Sequence, residues 1–138
     1  MTLLAYTDGA SRGNPGDSGI GILVKDEHGN RLLSVSGFIG EATNNLAEYT
    51  ALLALLKRVK KLGCSHLIVH SDSELMVRQM TGEYRVRDQR IGKLWQKIQN
   101  VLDEGSFKFE IRHILREMNG EADRLANMGI DSRKKIRI

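Results

Sequence analysis

Residues 44–72, NNLAEYTALLALLKRVKKLGCSHLIVHSD, predict one long helix followed by one short strand. The helix is expected from Asn44 to Leu62, because this segment lacks glycine and proline, is rich in alanine and leucine, and precedes Gly63, a typical residue just beyond a helix end. The apolar run in CSHLIVHSD (64–72) predicts the strand. Because strand–helix–strand crossovers are right-handed, this strand is expected to lie parallel to the first strand of the chain.

The residues before this unit predict three antiparallel strands. These are TLLAYTD (2–8), GIGILVKD (19–26) and RLLSVSGFIGE (31–41), joined by the turn-rich GASRGNPGDSG (9–19) and by EHGN (27–30).

The residues after the unit predict three more helices and a fifth strand. They are helices over SELMVRQM (73–80) and RIGKLWQKIQNVL (90–102), a strand over FKFEIRHI (107–114), and a helix over NGEADRLANMGI (119–130). The sequence therefore predicts an α/β fold with a mixed five-stranded sheet: three antiparallel strands, then two added parallel to strand one.

The composition predicts one globular domain spanning residues 1–138. Hydrophobic residues make up 41% and charged residues 28% of the chain, which suits a single core. We expect no membrane segment, because no apolar stretch approaches the length of a membrane span. We expect a cytoplasmic protein, because a single cysteine, Cys64, fits a reducing compartment. We also expect a monomer. The net charge of +4 favours a polyanionic partner without identifying it. The basic tail SRKKIRI (132–138) is either a flexible terminus or a substrate contact.

Four carboxylates stand beside or within apolar elements: Asp8, Glu48, Asp72 and Asp123. Glu48 falls within about 40° of Leu52, Leu55 and Val59 on a helical wheel, so it lies on the face that packs against the sheet. Buried carboxylates need partners, and hard divalent cations are the common ones. The four acids therefore predict a metal-dependent phosphoryl-transfer site whose carboxylate pKa values are raised without metal.

Each acid has an alternative interpretation. Glu48 could be tied to a backbone donor or a hidden arginine, and Asp8 and Asp72 could stabilise turns or strand ends. Asp123 could favour the dipole of a helix that Asn119 caps.

Four segments resemble the successive motifs of type 1 ribonuclease H, across nearly the whole chain. They are YTDGASRGNPGDSGIG (6–21), TNNLAEYTALLALL (43–56), SDSELMVRQ (71–79) and NGEADRLAN (119–127). The resemblance implies a ribonuclease H-like fold with helices on both sheet faces. It also implies hydrolysis of the RNA strand of an RNA–DNA hybrid, leaving 5′-phosphate and 3′-hydroxyl ends.

The resemblance assigns roles to particular residues. Asp8, Glu48, Asp72 and Asp123 match the catalytic acids, which hold two Mg²⁺ or Mn²⁺ ions with substrate, Asp8 bridging both. Residues matching those that sense the 2′-hydroxyl are Gly9, Asn14, Asn44 and Asn45. Thr43 matches a position that grips a DNA-strand phosphate, although Asn44 could instead be a helix N-cap.

Three departures from the family pattern affect substrate handling. Glu74 stands where the family has glutamine, which predicts weaker hydroxyl sensing or relaxed selectivity. The loop RHILREMNGEAD (112–123) is short, so His113 is expected at a strand end and Arg116 is the candidate for product release. The segment TGEYRVRDQRIG (81–92) is too short for the family's basic protrusion, which predicts weak, salt-sensitive hybrid binding.

Two other functions remain open from the sequence. Another nuclease of this fold would use the same acids on DNA or on junctions. A noncatalytic hybrid-binding module would gain nothing from four clustered acids where phosphate must bind.

Overall fold

The computed structural model describes residues 1–138 and contains a five-stranded sheet in the order β3-β2-β1-β4-β5. The strands are β1 (Thr2–Gly13), β2 (Gly16–Asp26), β3 (Arg31–Ala42), β4 (His66–Ser71) and β5 (Lys108–His113). The helices are α1 (Asn44–Leu62), α2 (Glu74–Met80), α3 (Gln89–Glu104) and α4 (Gly120–Ser132), with a 3₁₀ turn at Arg116–Met118. β1, β2 and β3 are antiparallel, whereas β4 is parallel to both β1 and β5. The predicted mixed sheet is confirmed.

The first hairpin is longer than predicted. Residues 9–13 were expected to belong to a turn, but β1 continues through them and pairs with β2 as far as Gly13 opposite Gly16. Glycine and serine favour turns locally, yet here the backbone ladder continues, and the Ser18 hydroxyl donates to Ser11 Oγ at 2.9 Å. Asp8 therefore lies inside a strand rather than at its end.

The sheet carries helices on both faces. Apolar side chains of β1 and β2, such as Leu3 and Ile22, form the main core with α1 residues such as Leu52 and Leu55. On the opposite face, α4 packs so closely that a Cβ at Gly21 would lie 2.1 Å from the Ala122 carbonyl oxygen. This close approach fixes the start of α4 against β2, at the residue that pairs with Asp8 of β1.

The basic tail lies along β3. The Phe38 N–H donates to the Lys134 carbonyl at 3.0 Å, and the Ile136 N–H donates to the Phe38 carbonyl at 3.1 Å. Ile136 and Ile138 also pack against the hydrophobic core. These contacts give the tail a defined path over the domain.

None of the helices combines the length and apolar character that crossing a bilayer requires.

Candidate active site

Three carboxylates meet where β1 loses its parallel neighbour. The pairing of β1 with β4 ends at Thr7 opposite Ser71, so Asp8 and Asp72 follow the last paired residues. Glu48 reaches them from α1, and one oxygen from each of the three acids lies within 4.8 Å of the others. The arrangement is an oxygen-rich cluster of the kind that binds hard cations.

Gly9 positions Glu48. Its N–H donates to Glu48 Oε1 at 2.8 Å, and Glu48 is only 7% exposed. A Cβ at Gly9 would lie 2.2 Å from the Ala47 carbonyl carbon, so only glycine permits this approach of α1 to β1. The alternative interpretation, that a backbone donor holds Glu48, is therefore correct for Oε1. The Glu48 carboxylate nevertheless belongs to the acidic cluster.

Asn119 holds Asp72, a contact that the sequence analysis missed. The Asn119 side chain is 1% exposed, and its Nδ2 donates to Asp72 Oδ2 at 3.0 Å and to the Thr7 carbonyl at 2.9 Å. Asn119 occupies the N-cap position of α4, but its side chain makes no capping hydrogen bond. Asn119 therefore occupies the expected N-cap position, but its side-chain amide ties α4 to β1 and Asp72 instead of capping the helix.

Asp123 lies in the first turn of α4 and completes the group of four acids. It lines the same cleft of about 420 Å³ as Asp8, Glu48 and Asp72. Asn127, one turn further along α4, donates from Nδ2 to Asp123 Oδ1 at 3.3 Å and to the Asp123 carbonyl at 3.0 Å. Asn127 was also missed, although its spacing of four residues from an acid on a helix is a usable signal.

The cleft disfavours negative charge on its two most buried acids. Burial raises the pKa of Asp8 to about 9, and the charges of Glu48 and Asp72 and a hydrogen bond with Asp123 act in the same direction. Burial also raises the pKa of Glu48 to about 8, with Asp72 adding to the effect and the Gly9 N–H and Arg116 opposing it. The predicted rise in carboxylate pKa values is thus present for these two groups. A divalent cation would oppose this rise, because its charge favours the ionised carboxylates.

The predicted substrate residues surround the start of α1. Thr43 is the N-cap, and its Oγ1 accepts from the Leu46 N–H at 3.2 Å, so the alternative that Asn44 is the N-cap is wrong. The Asn44 N–H donates to Asn14 Oδ1 at 3.1 Å, which joins the first hairpin to α1. Asn45 Oδ1 is buried without a hydrogen-bond partner.

The remaining predicted residues divide into two groups. Gly9, Asn44 and Arg116 line the acidic cleft, whereas Glu74 does not and instead pairs with Arg78 at 3.1 Å. His113 is exposed at the end of β5, as predicted.

The sequence matches a family model and several known proteins. A family model described as "Reverse transcriptase-like" matches residues 6–129. The chain is 38% identical over 133 residues to the "Bifunctional protein Rv2228c" of Mycobacterium tuberculosis, covering 96% of this chain and 36% of that protein. It is 33% identical over 143 residues to a ribonuclease H of Methylococcus capsulatus, covering 94% of this chain and 90% of the relative.

A solved structure has the same fold. LC11-RNase H1 in complex with an RNA/DNA hybrid superposes with a TM-score of 0.90 at 42% identity, covering 94% of this chain and 97% of that one. The chain spans only about a third of the length of the mycobacterial relatives that it matches.

Proposed function

This chain belongs to the ribonuclease H family, and on that premise we propose that it hydrolyses the RNA strand of RNA–DNA hybrids with two bound divalent ions. The observation that carries the proposal is the meeting of Asp8, Glu48 and Asp72 within 4.8 Å in a cleft that Asp123 also lines. The expected products carry 5′-phosphate and 3′-hydroxyl ends.

The donor set fits Mg²⁺ or Mn²⁺. All four acids offer oxygen, which these hard ions prefer, and no cysteine or histidine lines the cleft. Four ionised carboxylates carry four negative charges, which two divalent ions balance. Bound there, the ions supply charge stabilisation at the scissile phosphate and lower the pKa of an attacking water.

The protein supplies the positions of the ligands. Gly9 orients Glu48 through one oxygen, and Asn119 orients Asp72 through one oxygen, so the other oxygen of each carboxylate is available to a cation. Asp8 and Glu48 hold protons near neutral pH without metal, because their pKa values are raised to about 9 and about 8. They must release those protons as the cations bind, so metal affinity depends on pH.

The reaction breaks the bond between phosphorus and the 3′ oxygen. Water attacks phosphorus opposite that oxygen, and the leaving 3′ oxygen gains a proton, which gives the proposed ends. Arg116 is the cationic side chain that lines the cleft, so it can bind the released 5′-phosphate, and we retain it as the candidate for product release.

Three amides are proposed to sense the 2′-hydroxyl of RNA, and one hydroxyl is proposed to bind a phosphate of the DNA strand. A 2′-hydroxyl donates and accepts hydrogen bonds, as do the amides of Asn14, Asn44 and Asn45. Asn44 is exposed and lines the cleft, so its amide is accessible to a 2′-hydroxyl, whereas Asn45 Oδ1 is buried and would need a side-chain rotation to reach one. Thr43 Oγ1 accepts a bond as the helix cap and retains its hydrogen for a DNA phosphate.

Glu74 is proposed to contribute less than the amides. A contact between Glu74 and a ribose hydroxyl would compete with its ion pair to Arg78, so this chain relies on Gly9 and the three asparagines. Conversion of Glu74 to glutamine is therefore expected to tighten hybrid binding.

A substrate panel tests the proposed function. RNA–DNA hybrid, DNA duplex and RNA duplex of one sequence are incubated with Mg²⁺, Mn²⁺ or EDTA, and the RNA ends are then identified. We expect cutting of the hybrid only, with either metal, and phosphatase-sensitive 5′ ends. Equal cutting of the DNA duplex would instead place the chain among nucleases of this fold with another substrate.

A further inference from the structure

Six cationic side chains form a surface that the catalytic cleft does not use. This basic strip, from α1 and the tail, comprises Lys57, Arg58, Lys61, Lys134, Lys135 and Arg137. None of the six forms an ion pair, whereas the neighbouring Lys60 and Arg133 are paired with Glu104 and Asp17. The strip therefore carries six positive charges that no Asp or Glu side chain pairs with, on a chain whose net charge is +4.

Backbone contacts hold the tail against α1. Arg58 Nη2 donates to the Arg137 carbonyl at 3.0 Å, and Lys57 Nζ donates to the Ile138 carbonyl at 3.5 Å. Ile136 fills the space over Gly37, where an added Cβ would lie 2.4 Å from the Ile136 Cβ. Arg137 and Ile138 thus lie beside Lys57 and Arg58, while Lys134 and Lys135 continue the strip along β3 at Phe38.

This arrangement has an electrostatic cost in the isolated protein. A cationic tail is docked beside a cationic helix face, and exposed like charges within a Debye length of about 10 Å repel one another. Burial of Ile136 and Ile138 offsets that repulsion. A polyanion lying across the strip would relieve it and would also release counterions from its own backbone.

We propose that the basic strip binds the phosphate backbone of duplex nucleic acid outside the catalytic cleft. Lys57 lies 13 positions beyond Asn44 at the cleft, a distance of about 20 Å along α1. The helix end of the strip therefore lies remote from the scissile bond, whereas Lys135 lies beside Gly40 and nearer the start of α1. It supplies nonspecific affinity to a chain whose 81–92 segment carries no basic protrusion. The proposal is independent of the cleavage reaction, because it concerns binding without metal.

Salt-dependent binding of a labelled 24-base-pair DNA duplex in EDTA tests the proposal. Fluorescence anisotropy is measured for the wild type, for the helix variant Lys57→Gln/Lys61→Gln and for the tail variant Lys134→Gln/Lys135→Gln. The matched control is Lys25→Gln/Lys108→Gln, which removes two positive charges elsewhere on the surface. Each strip variant is expected to weaken binding roughly tenfold in low salt and to reduce the slope of log K against log salt by about two. The control is expected to keep the wild-type slope.

Three outcomes would overturn the proposal. These are wild-type slopes in both strip variants, an equal loss in the control variant, or equally strong competition by polyglutamate, which would assign the strip to acidic proteins. Circular dichroism checks the folding of each variant, and if one strip variant fails to fold, the slope of the other decides the question. Because no metal is present, a failure here leaves the cleavage proposal standing, and a failure of cleavage leaves this one standing.

Discussion

Replacing Asp8 with asparagine is expected to stabilise the metal-free protein. In the folded protein the pKa of Asp8 is raised to about 9, mainly by burial, from its ordinary value of 3.8. Between these values the folded state binds a proton that the unfolded state has lost, so the free energy of unfolding falls as pH rises. At about 1.4 kcal/mol per pKa unit, the cost at pH 7 is about 4 kcal/mol. Asparagine does not ionise and avoids this cost.

The net gain at pH 7 in EDTA is expected to be about 1–4 kcal/mol, because asparagine also alters the local hydrogen bonds. Urea denaturation at pH 5, 7 and 8.5 measures it, with Asp103→Asn on the exposed surface of α3 as the matched control. The advantage of Asp8→Asn should grow with pH, whereas Asp103→Asn should change little. Saturating Mg²⁺ should reverse the order, since it stabilises only the protein that binds it. A less stable Asp8→Asn protein at pH 7 in EDTA, or a gain that does not vary with pH, would refute this reasoning.

Three further changes test how the site is built. Asn119→Ala should lower cleavage and Mg²⁺ affinity about 10–100-fold, because Asp72 loses its orienting donor; a metal titration showing wild-type affinity would contradict this. Gly9→Ala should destabilise the fold by about 3 kcal/mol or more, because the added methyl group clashes with α1. Gly92→Ala in α3, where a methyl group meets open space, should stabilise the fold by about 0.5–1 kcal/mol. Thermal denaturation measures both. Calorimetry in buffers of different ionisation enthalpy should detect proton release when Mg²⁺ binds at pH 7. The release should disappear at pH 10, which lies above the raised pKa values of Asp8 and Glu48, of about 9 and about 8. No release at pH 7 would count against raised carboxylate pKa values.

The parts of the fold that local chemistry determines were predictable. The bounds of α1 were predicted correctly because a run without glycine or proline has one good helical solution ending at Gly63. The position of Glu48 followed from the same helix, since its angle to Leu52 and Leu55 places it against the sheet. The parallel addition of β4 followed from the handedness of crossovers.

The parts that depend on distant contacts were not predictable from local patterns. Asn119 donates to the Thr7 carbonyl, 112 residues away in the chain. From the sequence, its position just before a helix indicated only an N-cap. The β1–β2 hairpin extends through glycine and serine residues because the backbone ladder and α1 stabilise it, although those residues favour turns. The tail lies on Phe38 through backbone bonds that its basic composition does not indicate.

The central claim is that the four clustered acids form a metal-dependent site that cuts the RNA of a hybrid. Its most direct test is cleavage of an RNA–DNA hybrid end-labelled on the RNA strand, by the wild type and by Asp8→Asn, with Mg²⁺ or EDTA. We predict cleavage by the wild type with Mg²⁺ and none in EDTA, and a loss of at least about a thousandfold in a folded Asp8→Asn protein. An intact hybrid with the wild-type protein and Mg²⁺, or undiminished cleavage by Asp8→Asn, would contradict the claim.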